Sequence, residues 1–171
     1  MKSFYKHVII FLIALIWISL AVFPVAGTVY SINGSEIESG SLPEYIMSEP
    51  SLVQGDLKPG QVVYFSNSHC GACHMANDYL NSFSLEHPDL ELFRYDLAEG
   101  DTNMTKFEEY KRKFHLNHLS VPSVMIGNLT LEGAQDIRNN LETILNFQKE
   151  QLPHGGIISY LLQLLNLKIS I

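Results

Sequence analysis

Between residues 60 and 152 the spacing of apolar positions changes several times, and each change marks an element. Gln61-Val62-Val63-Tyr64-Phe65-Ser66 is an unbroken β-branched and aromatic run released by the turn signal Leu57-Lys58-Pro59-Gly60, and it predicts a buried strand. Directly after it, Cys73, Ala76, Asn77, Leu80 and Phe83 recur at helical spacing, which predicts a helix that begins at the cysteines and stops before His87-Pro88. Residues 90–97 predict a second strand, and Asp101 or Thr102 can cap a helix that runs to about His115. Residues 123–126 predict a short strand, Gly127-Asn128 a turn, and residues 129–131 the returning strand of a hairpin. Gly133 closes that hairpin, and residues 134–152 carry the spacing Ile137, Leu141, Ile144, Leu145 of an amphipathic helix. Upstream, residues 28–50 are mixed, with a short strand at 29–32 and a helix around 42–47. The order predicts an α/β fold: alternating strands and helices imply a parallel pair, and the closing hairpin adds antiparallel strands to a mixed sheet flanked by helices.

The two ends have a different character. Lys2 and Lys6 precede residues 8–23, which are apolar except for Ser19, and no further charge appears until Glu36. That run exceeds a usual signal-peptide core and approaches the ~20 residues that span a bilayer; adding Pro24-Val25-Ala26-Gly27 makes spanning feasible. Residues 1–27 are expected to be an N-terminal hydrophobic anchor helix or a cleaved signal peptide. With both lysines kept inside, the domain lies on the extracytoplasmic side, membrane-anchored or secreted. At the other end Pro153-His154-Gly155-Gly156 breaks the last helix and residues 157–171 are apolar apart from Lys168 and a few polar residues. That tail reads as an interfacial or core-packing helix, or as the leading part of a membrane helix. The expected organisation is 1–27 anchor or signal, 28–60 an N-terminal extension, 61–152 the α/β domain and 153–171 an apolar tail.

Composition narrows the function. The 171 residues are 46% hydrophobic, enough for one domain with its own core. Net charge is −7, and setting aside Lys2 and Lys6 leaves nine basic against 18 acidic side chains, which argues against nucleic acid as a partner. The one basic cluster, Lys106 with Lys111-Arg112-Lys113, sits beside Glu108 and Glu109 on a predicted helix and reads as a solvated face. Three sequons, at Asn33, Asn103 and Asn128, fit a glycosylating compartment.

The chemistry concentrates at His69-Cys70-Gly71-Ala72-Cys73-His74, which holds both cysteines of the chain. Two cysteines so close can close and reopen a small disulfide but cannot staple distant parts of a fold. A thiolate at a helix start is stabilised by unpaired backbone N–H groups and the positive end of the helix dipole. Cys70 is therefore expected to be accessible and to attack a substrate sulfur, and Cys73, one turn in and shielded, to resolve the mixed disulfide. His69 and His74 would modulate the pair by adding positive charge.

With the strand at 62–66, the motif Cys70-Gly71-Ala72-Cys73, the helix after it and Val121-Pro122-Ser123 some fifty residues later, the stretch 61–152 resembles the thioredoxin-like superfamily. The resemblance implies a thiol–disulfide oxidoreductase that needs no cofactor and no metal and acts on protein thiols and disulfides. A membrane dithiol electron carrier is the implied partner if the protein is a reductant. It also implies that Pro122 is a cis-proline facing the dithiol and that Val121 offers its backbone edge to substrate. Departures leave the direction of the redox chemistry open: Tyr64 stands where thioredoxins bury an aspartate, Gly71-Ala72 lies between the cysteines, and His69 replaces a tryptophan. Other readings of the same residues stay open. Cys70, Cys73 and His74 match the attachment motif of c-type haem, with Met75, Met104 or Met125 as an axial ligand. His69, Cys70, Cys73 and His74 could hold a metal, with His115 and His118 as a second pair, although those two also read as a helix C-terminal pair. The domain could also be an inert binding module with a structural disulfide.

Overall fold

The structure, a computed structural model, describes residues 28–150. The expected anchor or signal at 1–27 and the apolar tail at 153–171 lie outside the described residues. Among the described residues no helix is long and apolar enough to cross a membrane.

The strands are β1 (Thr28–Ser31), β2 (Glu36–Ile37), β3 (Gln61–Ser66), β4 (Glu91–Asp96), β5 (Ser123–Ile126) and β6 (Leu129–Glu132). The helices are α1 (Leu42–Ser48), α2 (Gly71–Glu86), α3 (Asp101–Lys113) and α4 (134–150). The strands form one six-stranded sheet in the order β2-β1-β6-β5-β3-β4. β3 and β4 are parallel, from Gln61 opposite Glu91 to Ser66 opposite Asp96, while β5 runs antiparallel to β3 and forms a hairpin with β6. The expected α/β class, a mixed sheet flanked by helices, is what the chain forms.

The unbroken apolar run of β3 follows from burial on both faces. Val62 and Tyr64 belong to a core shared with Leu42 and Ile46 of α1, Ala76 and Leu80 of α2, and Ile137 and Leu141 of α4. Val63 and Phe65 face the opposite layer, where Phe107 of α3 packs with Phe114, Leu116 and Leu119 from the segment after it. β4, at the sheet edge, has no fully buried residue and leaves Glu91, Phe93 and Arg94 exposed.

The stretch 28–60, set apart by the sequence as an extension, is built into the same sheet and core. β1 pairs antiparallel with β6 from Thr28 opposite Glu132 to Ser31 opposite Leu129, and Val29, Ile37, Leu52 and Val53 are buried. The link is tightest at the β5–β6 turn. The Asn128 N–H donates to the Leu52 carbonyl at 2.8 Å, and a Cβ on Gly127 would lie 2.6 Å from the Val53 carbonyl oxygen, so only glycine fits there. From α4, the Gln148 amide donates to the Val53 carbonyl at 2.6 Å and accepts from the Gly60 N–H at 3.2 Å, stitching the stretch to the last helix.

Candidate functional site

Both cysteines sit where β3 hands over to α2. β3 ends at Ser66, and three loop residues follow before Cys70, which is the N-cap of α2 in an extended conformation (φ −101°, ψ 118°). Its sulfur takes the place of a capping oxygen and accepts the Cys73 N–H at 3.2 Å. The loop is tied from two sides. The Cys70 N–H donates to the Asn67 carbonyl at 3.0 Å, and Asp96, at the end of β4, accepts from Ser68 N–H at 3.1 Å and Ala98 N–H at 2.9 Å. Those two amides, Ala98 first, hold the Asp96 carboxyl below the usual range.

One helical turn separates two environments. Cys70 is partly exposed, whereas Cys73 is fully buried, and both are free thiols. Burial, reinforced by the hydrogen bond with Cys70, pushes the Cys73 thiol up to about 12. Beneath it, the Tyr64 hydroxyl, itself fully buried, donates to the Cys73 carbonyl at 3.2 Å. Desolvation, then the nearby Cys73, raises the Tyr64 phenol well above its ordinary value, so at neutral pH it is a donor and not a base. Where a carboxylate could have accepted the Cys73 proton, this chain has a neutral hydroxyl.

The Val121–Pro122 peptide is cis, and the Val121 carbonyl lies 3.9 Å from Cys70 Sγ, within reach of an S–H donor. Cys70, Cys73, Val121 and Pro122 thus meet in one place. His69 and His74 do not join them: both are exposed, and neither imidazole hydrogen-bonds a cysteine sulfur among the described residues. The histidine pair downstream is divided. His118 Nε2 lies 3.3 Å from the Tyr30 hydroxyl, whereas His115, with φ 56°, closes the end of α3. Among the described residues no three His, Cys, Asp or Glu side chains converge so as to hold a metal ion. Met125 is buried in the layer that contains α3, and Met104 and Met75 are exposed.

Beside Cys70 opens a groove of about 920 Å³. Ala72, Met75, Val121 and Pro122 form its wall on the dithiol side, and Tyr30, His118, Glu132 and Arg138 line it farther out. Glu132 is anchored there, accepting the Ser120 N–H at 3.0 Å and the Ser120 hydroxyl. Sequence reasoning passed over Tyr30, Ser120, Glu132 and Arg138, because each sits in an ordinary local pattern. Only the β1–β6 pairing and the start of α4 bring them to the cysteines.

No family model matches this chain, and no curated protein or solved structure matches it.

Proposed function

We propose that the protein is a thioredoxin-like thiol–disulfide oxidoreductase acting through Cys70 and Cys73. The observation that carries this is the pairing of an accessible Sγ with a buried thiol one turn along the same helix, 3.9 Å from the carbonyl that precedes a cis-proline. The arrangement of a parallel strand pair, an antiparallel hairpin and a helix that starts at the dithiol supports the superfamily reading.

In the reducing direction, the Cys70 thiolate attacks a substrate disulfide. The substrate S–S bond breaks, a Cys70–substrate bond forms, and the departing thiolate takes a proton from water. During attack the Cys73 N–H, already aimed at Cys70 Sγ, holds the sulfur in line. Cys73 then loses its proton, attacks Cys70 Sγ, and releases the second substrate thiol. The substrate gains two electrons and two protons, and the protein is left as the Cys70–Cys73 disulfide. A membrane dithiol carrier would return those electrons, and the reverse sequence would oxidise a dithiol substrate. The charge pattern of residues 1–27 supports an extracytoplasmic, membrane-anchored or secreted placement.

A Cys73→Ala variant tests the exchange. It should accumulate a mixed disulfide with a peptide disulfide through Cys70, seen as an added mass that dithiothreitol removes. The Cys70→Ala/Cys73→Ala double variant should not. If Cys73→Ala forms no adduct, the mechanism is wrong.

A further inference from the structure

We infer that Glu132 is the positioning residue of the substrate edge: its carboxylate reaches past the cis-proline and holds residues 120–122 where a cysteine-containing peptide is laid beside Cys70. The inference rests on the exchange reading above and deepens it, by naming the group outside the dithiol on which peptide recognition depends. The need for such a group follows from Pro122. The β5–β6 ladder runs from Ile126 opposite Leu129 to Ser123 opposite Glu132, and one further bond, from the Gly133 N–H to the Pro122 carbonyl at 2.8 Å, closes it. Proline has no N–H to return that bond, so backbone pairing stops there. Upstream of it a side chain takes over. Glu132 Oε1 accepts the Ser120 N–H at 3.0 Å and the Ser120 hydroxyl as well.

The ties at Ser120 and Pro122 flank Val121, whose N–H and carbonyl have no backbone partner among the described residues. That carbonyl is the one 3.9 Å from Cys70 Sγ. An edge held on both sides of its free residue is ordered before substrate arrives, so binding does not have to order it. Farther back the chain is anchored by the buried Leu119 and by His118 at the Tyr30 hydroxyl, so losing the carboxylate loosens Ser120 and Val121 and leaves the fold in place. Both donors to Glu132 are neutral, and among the described residues no cation pairs with it. The position therefore needs an acceptor oxygen of the right reach and not a charge.

The test is single-turnover oxidation of the reduced full-length protein by two uncharged disulfides: a peptide dimer linked through a central cysteine, and hydroxyethyl disulfide, which is too small to use the edge. Each transfer breaks the oxidant's S–S bond, passes the Cys70 and Cys73 protons to its two thiols and forms the Cys70–Cys73 disulfide. The measured quantity is the ratio of the peptide rate constant to that of the small disulfide. Relative to wild type it should fall about tenfold in Glu132→Ala, the scale of a net hydrogen-bond contribution, and about threefold in Ser120→Ala, which keeps the N–H tie. Glu132→Gln should keep most of the ratio, because an amide oxygen still accepts both donors. Should Glu132→Ala not fold, Ser120→Ala decides in its place. An unchanged ratio, a loss shared equally by both oxidants, or a Glu132→Gln ratio as low as that of Glu132→Ala overturns the inference and leaves the exchange reading standing. If neither compound oxidises the wild-type dithiol, both fall.

Discussion

The Cys73 thiol and the Tyr64 hydroxyl are buried side by side, and the hydroxyl donates to the Cys73 carbonyl rather than to its sulfur. With Cys73 pushed up to about 12 by burial, its thiolate is a small fraction at neutral pH. Each pH unit below that value changes the fraction about tenfold. Resolution of the mixed disulfide should therefore accelerate about tenfold per unit through the neutral and mildly alkaline range, as followed by rapid quench of a preformed adduct. A plateau in that range would show that another group takes the proton. Stability carries the same signature. The folded Cys73 holds its proton to a higher pH than the unfolded thiol, so the folded state binds more protons from about 8.5 up to about 12. Stability should fall as pH rises through that window, and denaturant titrations should show a steeper fall for the reduced wild type than for Cys73→Ala. The Tyr64 hydroxyl has a structural part as well. Tyr64→Phe leaves the Cys73 carbonyl without its side-chain donor at the start of α2 and should cost about 1 kcal/mol in urea unfolding.

Among the elements, α4 joins distant parts of the chain through several side chains: Asn140 donates to the Ser39 hydroxyl at 2.6 Å, Lys149 pairs with Asp89, and Gln148 reaches two backbone groups. Gln148 is buried and satisfies both the Val53 carbonyl and the Gly60 N–H, so Gln148→Ala strands two backbone groups and should destabilise by about 1–3 kcal/mol in denaturant titration. The helix itself was legible, as was α2, because each repeats its apolar period over several turns, whereas β3 showed as an unbroken β-branched and aromatic run and the β5–β6 hairpin through its Gly127-Asn128 turn. β2 was not legible: two residues, Glu36 and Ile37, are too few to show alternation, and they are held by pairing with β1 and by the burial of Ile37 in the core. The cysteines and Pro122 were legible because their chemistry is local or carried by a motif. The exposure of His74 follows from the helix that carries it. α2 buries the stripe Cys73, Ala76, Leu80 and Phe83, and His74, one position on, is turned about 100° away to the surface. The far wall of the groove was illegible because Tyr30 and Glu132 are about a hundred residues apart and meet only through β1–β6 register.

For the molecule as a whole, the sheet covered on both faces makes β3 the axis of stability as well as the strand that delivers the cysteines. Phe65 stacks on Tyr95 at 5.3 Å and leans on Phe107 at 5.0 Å, so Phe65→Ala opens a cavity between sheet and α3. That change should cost about 3–5 kcal/mol and lower the thermal midpoint of the entire domain in a single transition. The same sheet also sets where the chain enters and leaves. Thr28 lines the groove, and the first turn of α4 does too. The 17 residues of α4 then carry the chain about 25 Å away, to the pole where Gln148 meets Gly60. The described residues therefore begin at the reactive pole with Thr28 and end at the opposite one. Any tether that reached Thr28 would hold the groove against the surface carrying it and turn the search for substrate into a two-dimensional one, whereas the same tether fixed at the Gln148 end would leave the groove facing away.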